Sequence, residues 1–499
     1  MLRFLRTCCC QAERSQSPWW FLILVLVSLW GAELSQAQTY FQQQVDHEIH
    51  VTLDDHVHTL RGYELVNYTN NSPDTLNELW FHLWPNAYSG PNTAMNRQKL
   101  EEDDASLNYA KQDQLGWIDS LDFYDANTAL QFKIGWQNPD IAKIDLVRPI
   151  IPGEKREFRI PFRVVIPEAI FSRCGHLDQA YQITQWYPKP AVYDTAGWHP
   201  MSNVDQGEYF SEFGEYDVHI TLPSNYVVGA TGDLQTESEL EWLNQKNSET
   251  RELTEFNVED LDIPPSSLET KTLHFHQEKV HDFAWFADKR FHVLKDEVEL
   301  PESGRKVTTL ALFTNNQANL WLDAPGYLSD ALRFYSLKVG EYPYNQVTAV
   351  DGLWASGTDM EYQNVTVIGE ANDAIALDQV IAHEVGHNWF YGILANNERE
   401  YAWLDEGLNT YIELLYMRSK YPNLKLFEGG ELGDYGPGLA KFLNLHDIPQ
   451  DRVNEISART VQRTGMSQPI DEHSEWLTSN NYGAMEYSKA GLVFDHLRA

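Results

Sequence analysis

The sequence predicts an α+β fold in which a β-rich N-terminal part precedes a part that mixes helices with strands. From Tyr40 to about Val293, short segments with alternating apolar residues are separated by Asn, Pro, Gly and Asp clusters, which is the pattern of β-strands. From Asn319 to Val339 the apolar residues recur with helical spacing instead. The segment from Ala374 to Tyr391 lacks proline and carries a broad apolar stripe, so we expect a buried helix there.

The strand-like segments of the first part share a high content of β-branched and aromatic residues; examples are residues 58–68, 157–166, 216–222 and 272–276. An acidic segment with a Pro-Glu-Ser-Gly turn at 301–304 follows them and resembles a linker. We therefore divide the chain into a signal peptide (1–37), an N-terminal β-rich domain (38–300) and a second domain (301–499).

The first 37 residues have the features of an export signal. Three arginines precede an apolar run of twelve residues (19–30), and Ser35-Gln36-Ala37 is a small-x-small cleavage site. Twelve residues fall short of the roughly 20 that cross a bilayer as a helix. We expect a cleaved signal and an exported protein, periplasmic or extracellular, with an uncleaved signal anchor as the alternative.

Composition narrows the function classes. The formal charge of −36 argues against nucleic acid or an anionic membrane surface as a partner. After cleavage Cys174 would be the only cysteine, so an internal disulfide is not expected. The sequence also lacks Gly-x-Ser-x-Gly, Cys-x-x-Cys and phosphate-binding glycine loops.

The most informative pattern is His-Glu-x-x-His at residues 383–387. On a helix, His383 and His387 project from one face a turn apart, and both can bind one zinc ion. Glu384 lies beside them, where it can accept a proton from a water molecule. The pentapeptide alone also occurs by chance in proteins that bind no metal, so a third ligand is needed to identify a zinc site. Glu406 follows after eighteen intervening residues, at the start of a second helical run that includes Glu413. Three protein ligands and one open position are typical of catalytic zinc.

His-Glu-x-x-His followed by Glu406 in a Trp-Leu-x-Glu-Gly context resembles the zinc aminopeptidases of the aminopeptidase N family, which are gluzincin metallopeptidases. The resemblance implies one zinc ion per chain and a β-rich saddle domain followed by a thermolysin-like zinc domain. Residues 216–234 resemble a hairpin of that saddle. Family members continue into further helices, so we expect residues 301–499 to be an incomplete catalytic domain.

The resemblance also implies how the free N-terminus of a peptide is bound. Met360-Glu361 is similar to the family's Gly-x-Met-Glu-Asn motif, in which the glutamate binds the substrate ammonium. A carboxylate in a confined pocket is suited to distinguish a free ammonium from a peptide bond. The match is incomplete, because Gly357 lies one residue too far away and Tyr362 replaces the asparagine.

Three further residues are candidates. Tyr487 lies in a segment that resembles the family's Tyr-x-Lys-Gly with one insertion, which implies an oxyanion donor and favours it over Tyr482. Gln185 precedes an aromatic-Pro stretch and matches a family residue beside the substrate amine. Glu413 lies on the same helical face as Glu406, where it supports a ligand or is an ordinary charged position.

These observations predict a zinc-dependent aminopeptidase acting on peptides with a free N-terminus. Two alternatives remain open: a zinc endopeptidase or other zinc hydrolase without an amine requirement, and a catalytically impaired peptide-binding protein. Nucleic acid is not expected as a partner, and a membrane only if the signal is uncleaved.

Overall fold

Alternating burial along the strands organises the N-terminal part of the chain. The computed structural model describes residues 40–352, 359–426, 441 and 447–498. In β1 (Gln44–Asp54) buried and more exposed side chains alternate from Val45 to Leu53, so one face of the strand lies on the core. The described residues from Gln42 onward form one compact unit.

The strands of the first half are β1 (Gln44–Asp54), β2 (Thr59–Thr69), β3 (Leu76–His82), β4 (Trp117–Asp119), β5 (Phe123–Asp125), β6 (Gln131–Phe132), β7 (Ile134–Asn138), β8 (Ile141–Ile150), β9 (Lys155–Val165), β10 (Gly175–Leu177), β11 (Ala180–Ile183) and β12 (Lys189–Pro190). They continue with β13 (Tyr193–Asp194), β14 (Gly197–Trp198), β15 (Gly214–Pro223), β16 (Val227–Ala230), β17 (Asp233–Leu234), β18 (Thr270–Val280), β19 (Trp285–Asp288), β20 (His292–Glu299), β21 (Lys306–Phe313), β22 (Gln346–Asp351), β23 (Met360–Tyr362) and β24 (Val365–Ile368).

Within the described residues, the N-terminal part is built from four sheets. The nine-stranded sheet has the order β17-β18-β15-β1-β2-β9-β5-β6, with β4 also paired to β9. Two four-stranded sheets (β10-β11-β19-β16 and β12-β3-β8-β7) and the pair β13-β14 accompany it.

The hairpin expected over residues 216–234 is wrong. Strand β15 pairs with β1 and β18 in the nine-stranded sheet, whereas β16 pairs with β19 in a four-stranded sheet. The chain therefore changes sheet between Pro223 and Val227. An alternating pattern indicates a strand but does not identify its partner.

The fifth sheet, β20-β21-β22-β24-β23, underlies the metal-binding pattern. Its inner strands β22 and β24 are parallel and every residue in them is buried, as expected for strands covered on both faces. Residues 301–304 lie in the turn between β20 and β21, within this sheet. The division of the chain at residue 300 stays a prediction.

The α-helices whose bounds lie within the described ranges are α1 (Ala94–Glu101), α2 (Glu237–Glu252), α3 (Ala318–Trp321), α4 (Ala324–Lys338), α5 (Ala374–Phe390), α6 (Glu398–Ala402), α7 (Leu408–Lys420), α8 (Val453–Thr464), α9 (Ser479–Asn481) and α10 (Ala490–Arg498). Residues Trp403–Gly407 and Tyr482–Lys489 are π-helical, and short 3₁₀ turns span Trp84–Tyr88, Leu107–Tyr109, Gln450–Arg452 and Ser474–Trp476.

Helix α5 lies at the centre of the C-terminal part. It begins after Asp373, whose side chain accepts hydrogen bonds from the backbone N–H groups of Ile375 and Ala376 and so caps the helix. It packs against β23 and β24 on one side and against α4 and α7 on the other. In the part of the chain that the structure describes, no helix combines the length and the apolar character that crossing a bilayer requires. The predicted fold class, α+β with a β-rich part before a part rich in helices, is confirmed.

Candidate metal centre and active site

Three side-chain atoms from two helical segments converge on one point. His383 and His387 lie a turn apart on α5, and their Nε2 atoms are 3.1 Å apart. The Oε2 atom of Glu406 lies 3.3 Å from Nε2 of His383 and 3.4 Å from Nε2 of His387. Glu406 belongs to the π-helical segment that leads into α7. The structure thus brings together all three predicted metal ligands.

This triangle fits a tetrahedral zinc site. Zinc bonds of about 2.0–2.1 Å at tetrahedral angles separate the ligand atoms by about 3.3–3.4 Å. The Oε2 atom of Glu406 is buried and has no hydrogen-bond partner among the described residues. Leaving a buried carboxylate oxygen without a partner costs free energy, and a cation inside the triangle would satisfy it. A fourth position stays available for water or substrate.

The other ring nitrogen of each histidine is held by a carboxylate. Nδ1 of His383 lies 3.0 Å from Oε2 of Glu413, and Nδ1 of His387 lies 2.6 Å from Oδ1 of Asp405. Such contacts fix the ring orientation and leave Nε2 free to bind a metal. Sequence reasoning raised Glu413 but missed Asp405. It lies in a π-helical segment, which apolar periodicity does not reveal but which is frequent at functional sites.

The charges at the centre favour an ionised Glu406. Burial acts to raise the pKa of its carboxyl, but the imidazoles of His387 and His383 outweigh burial and lower it. Burial likewise acts to lower the pKa of His383, but the neighbouring carboxylates of Glu406 and Glu413 raise it well above its usual value. A bound metal ion would replace these imidazole protons, because ligating histidines are neutral.

Glu384 lies beside the donor triangle on α5. Its side chain is buried, and its Oε2 atom lies 3.5 Å from the hydroxyl of Thr366 on β24. Burial is the main cause that raises the pKa of this carboxyl to about 8. A group that titrates near neutral pH is suited to accept and return a proton.

An open cavity of about 520 Å³ leads to the centre. His383, Glu384 and Tyr487 line it, together with Asp359, residues of α7 and residues between 449 and 457. Its size is within the range of small-ligand sites. The metal face of His383 and the carboxylate of Glu384 are therefore reachable from this cavity.

Tyr487 lies against the metal ligands. Its hydroxyl donates a short hydrogen bond to Oε1 of Glu406, and its ring stacks on His383 with centroids 5.8 Å apart. Gly407 permits this approach, because a Cβ atom there would lie 2.3 Å from the Cβ of Ala490, directly after the π-helical segment that carries Tyr487. The neighbouring Tyr482 has a buried hydroxyl without a partner among the described residues.

Glu361 lies on β23 and is 4% exposed. One of its oxygen atoms falls within 4.8 Å of ligand atoms from His387, Asp405 and Glu406. Burial raises the pKa of its carboxyl well above the usual value, with His387 opposing this. The structure brings Glu361 to the edge of the metal centre, while Gly357 of the proposed motif lies outside the described residues.

Gln185 is buried in a different polar network. Its amide nitrogen donates to Asp282 at 3.0 Å, and its amide oxygen lies 3.5 Å from the hydroxyl of Tyr362. Neighbouring residues of a strand point to opposite faces, so contact with Tyr362 does not by itself bring Gln185 to Glu361. Its substrate-binding role stays a prediction.

Comparison with known proteins agrees with this geometry. The sequence profile of the Peptidase family M1 domain matches residues 360–499. Endoplasmic reticulum aminopeptidase 2 of Homo sapiens is 27% identical over 132 residues, which is 26% of this chain and 11% of that protein. The chain thus spans about a tenth of the curated relative that it matches.

Solved structures extend the similarity to the fold. The M1 zinc metallopeptidase from Deinococcus radiodurans has a TM-score of 0.57 at 16% identity, covering 92% of this chain and 83% of that one. A mutant of the metallopeptidase bound to a Tyr-Ser-Ala substrate gives a TM-score of 0.55 at 15% identity over the same shares. At this level of identity the comparison shows a common fold.

The three donor atoms and the open fourth position form the ligand arrangement of a catalytic zinc site. Residues 360–499, which match the sequence profile of the Peptidase family M1 domain, contain all three of these ligands. The predicted resemblance to the aminopeptidase N family is confirmed.

Proposed function

We propose that this chain is a zinc-dependent aminopeptidase that hydrolyses the first peptide bond of substrates with a free N-terminus. The observation that carries the proposal is the triangle of His383, His387 and Glu406, with ligand atoms 3.1–3.4 Å apart around the unpartnered oxygen of Glu406. We propose one zinc ion per chain, bound at this triangle.

When bound, zinc supplies Lewis-acid chemistry: it lowers the pKa of water and polarises a carbonyl group. The chain's own residues supply the remaining steps. Glu384 takes a proton as water adds to the scissile carbonyl carbon, and returns it to the leaving nitrogen as the C–N bond breaks. Tyr487 donates a hydrogen bond to the oxygen that gains negative charge. For this its hydroxyl turns from Glu406 to the substrate.

The requirement for a free N-terminus is assigned to Glu361. Its carboxylate is confined and has no hydrogen-bond partner for Oε1 among the described residues, so a substrate ammonium would complete its contacts. An acetylated N-terminus carries no charge and leaves this buried group unpaired. Discrimination therefore comes mainly from the penalty on the blocked substrate.

Peptides are the substrate class that fits the known relatives. Related M1 zinc metallopeptidase structures hold L-arginine, L-tryptophan or a Tyr-Ser-Ala substrate. For this chain we propose short peptides with free N-termini. We also propose that it is exported, periplasmic or extracellular, with residues 1–37 as the signal; these residues lie outside the described part of the structure.

The test is release of the first amino acid from matched peptides that differ only in N-terminal acetylation, with and without a zinc chelator. We expect release from free peptides alone, abolished by the chelator and restored by zinc. Glu384→Gln protein, purified in parallel, should keep its zinc and lose activity by about 10²–10⁴-fold, which separates the enzyme from a contaminant.

Other outcomes point to the alternatives. Cleavage of both free and acetylated peptides would indicate an endopeptidase or another zinc hydrolase without an amine anchor. Peptide binding without turnover in zinc-loaded protein would indicate a binding protein. Unchanged activity in Glu384→Gln would remove that residue from the reaction.

A further inference from the structure

Three buried carboxylates meet next to the metal centre. Glu208, Glu361 and Glu398 are 2%, 4% and 1% exposed, and one oxygen from each lies within 4.8 Å of the others. Glu208 comes from the N-terminal part, Glu361 from β23 and Glu398 from the start of α6. We call these three residues the carboxylate pocket.

Within the pocket, Glu208 is the carboxylate that an arginine binds in the described part of the chain. Arg173 forms two hydrogen bonds with its carboxylate, at 2.5 and 2.7 Å. The side chains of Glu361 and Glu398 have neither a hydrogen bond nor an ion pair in the described part of the chain, and Oε1 of Glu361 and Oε2 of Glu398 are buried without a partner. Burying two such groups together is costly unless a ligand supplies positive charge and donors.

We propose that the carboxylate pocket binds the α-ammonium of the substrate, with Glu398 and Glu208 acting beside Glu361. This rests on the proposed aminopeptidase function and adds two residues to it. A primary ammonium has three N–H donors at tetrahedral angles. With charge-assisted bonds of about 2.7–2.9 Å, its three acceptors lie about 4.4–4.7 Å apart. This is compatible with three pocket oxygens that all lie within 4.8 Å of one another.

The location of the pocket also suits an α-ammonium. One carbon atom separates this group from the scissile carbonyl, so its binding site must adjoin the metal centre. Glu361 meets this condition, because an oxygen of it also lies within 4.8 Å of ligand atoms from His387 and Glu406. Arginine side chains favour planar, paired contacts with one carboxylate, and Arg173 already makes these contacts with Glu208. The pocket therefore fits an ammonium better than a second guanidinium.

The decisive variant is Glu398→Gln, which keeps the shape of the side chain and removes its charge. Glu400→Gln is the matched control on the same short helix. Glu400 is partly exposed and already accepts a hydrogen bond from Asn397 at 3.0 Å. Glu398→Asp is a second test, because it keeps the charge and withdraws the oxygen atoms from the pocket. Thermal unfolding of each variant reports whether it is folded.

Two measurements are made on each variant. The first is kcat/KM on free peptides that begin with Leu, Lys or Arg. The second is calorimetric binding of L-leucinamide and its N-acetyl derivative to protein that also carries Glu384→Gln, so that no turnover occurs. We expect Glu398→Gln to lower kcat/KM on all three peptides and L-leucinamide affinity by on the order of 10- to 100-fold, with Glu400→Gln unchanged.

The outcomes separate this proposal from the aminopeptidase function. If the parent enzyme is active but Glu398→Gln and Glu398→Asp match Glu400→Gln in both measurements, Glu398 does not bind the ammonium and the three-carboxylate proposal is overturned, while Glu361 keeps its proposed role. A loss confined to peptides that begin with Lys or Arg would assign the pocket to a side chain and overturn the proposal. If the parent cleaves no peptide, the proposed function fails, while L-leucinamide binding still tests the pocket.

Discussion

Two tyrosines lie side by side at the metal centre and differ in what their hydroxyl groups contact. The rings of Tyr482 and Tyr487 are 5.7 Å apart and nearly perpendicular. The hydroxyl of Tyr487 donates to the metal ligand Glu406, whereas that of Tyr482 is buried without a partner among the described residues. Of the two, Tyr487 is therefore the tyrosine whose hydroxyl already contacts a metal ligand.

We predict that Tyr487→Phe lowers kcat by about 10²–10³-fold, the loss expected for one oxyanion donor. The matched variant Tyr482→Phe should change kcat by less than about tenfold, because its hydroxyl makes no hydrogen bond to lose. Steady-state kinetics with one free peptide, and zinc content of both proteins, provide the test. Equal losses in the two variants, or a larger loss for Tyr482→Phe, would contradict this assignment.

Some of these residues could be found from the sequence and others could not, for physical reasons. His383, Glu384, His387 and Glu406 were accessible because helical spacing and a fixed interval place their side chains together. No sequence pattern marks Glu398, because its proposed role depends on side chains that are distant from it in sequence. The proximity of Glu398 to Glu208 and Glu361 becomes visible only in the folded chain.

The helices around the centre approach each other at a glycine. Gly386 lies between the two histidines of α5, and a Cβ atom there would lie 2.0 Å from Oδ1 of Asn409 and 2.4 Å from the hydroxyl of Tyr335. Those two groups are hydrogen-bonded to each other at 2.8 Å, and Asn409 also donates to the backbone oxygen of His383 at 2.7 Å. The absence of a side chain at Gly386 thus lets α4, α5 and α7 meet.

We predict that Gly386→Ala lowers both the unfolding temperature and the affinity for zinc, because the helices must separate and the ligand triangle must widen. The control is Gly326→Ala on α4, where a Cβ meets nothing within 4 Å. That change should be neutral or stabilise by up to about 1 kcal/mol, since alanine favours helix. Calorimetric unfolding measures the stability of each variant, and zinc titration measures its affinity for the metal. A Gly386→Ala protein as stable and as zinc-binding as the parent would show that the contact is not tight.

At the level of helices and strands, the sequence predicted individual segments better than it predicted which strands pair with each other. The helix expected at 374–391 spans Ala374–Phe390, because its apolar stripe and its cap at Asp373 are local. The hairpin expected at 216–234 failed, since strand pairing depends on remote residues. The two π-helical segments also escaped prediction, and they carry Glu406 and Tyr487.

Across the whole molecule, acidic residues exceed basic ones, 73 against 37. The cavity at the metal centre has the same bias: its walls include the carboxylates of Asp359, Glu384, Glu413 and Asp451 and one guanidinium, that of Arg418. A cleft lined by charges of one sign concentrates ligands of the opposite sign. A peptide that bears extra positive charge should therefore reach this site more readily than one that bears negative charge.

We predict that Leu-Lys-Lys is cleaved with a higher kcat/KM than Leu-Glu-Glu at low salt, and that the ratio falls as salt is added. Both peptides offer the same first residue and a free N-terminus, so amine recognition is constant between them. The Debye length shrinks from about 30 Å at 0.01 M to about 8 Å at 0.15 M, which screens attraction beyond the cavity mouth. We expect the ratio to fall by about tenfold or more over this range. The test is to measure kcat/KM for both peptides across the salt series, with Leu-Ser-Ser, whose side chains are uncharged, as the reference. If the ratio does not depend on salt, contacts inside the site set the preference, and the electric field of the acidic molecule does not.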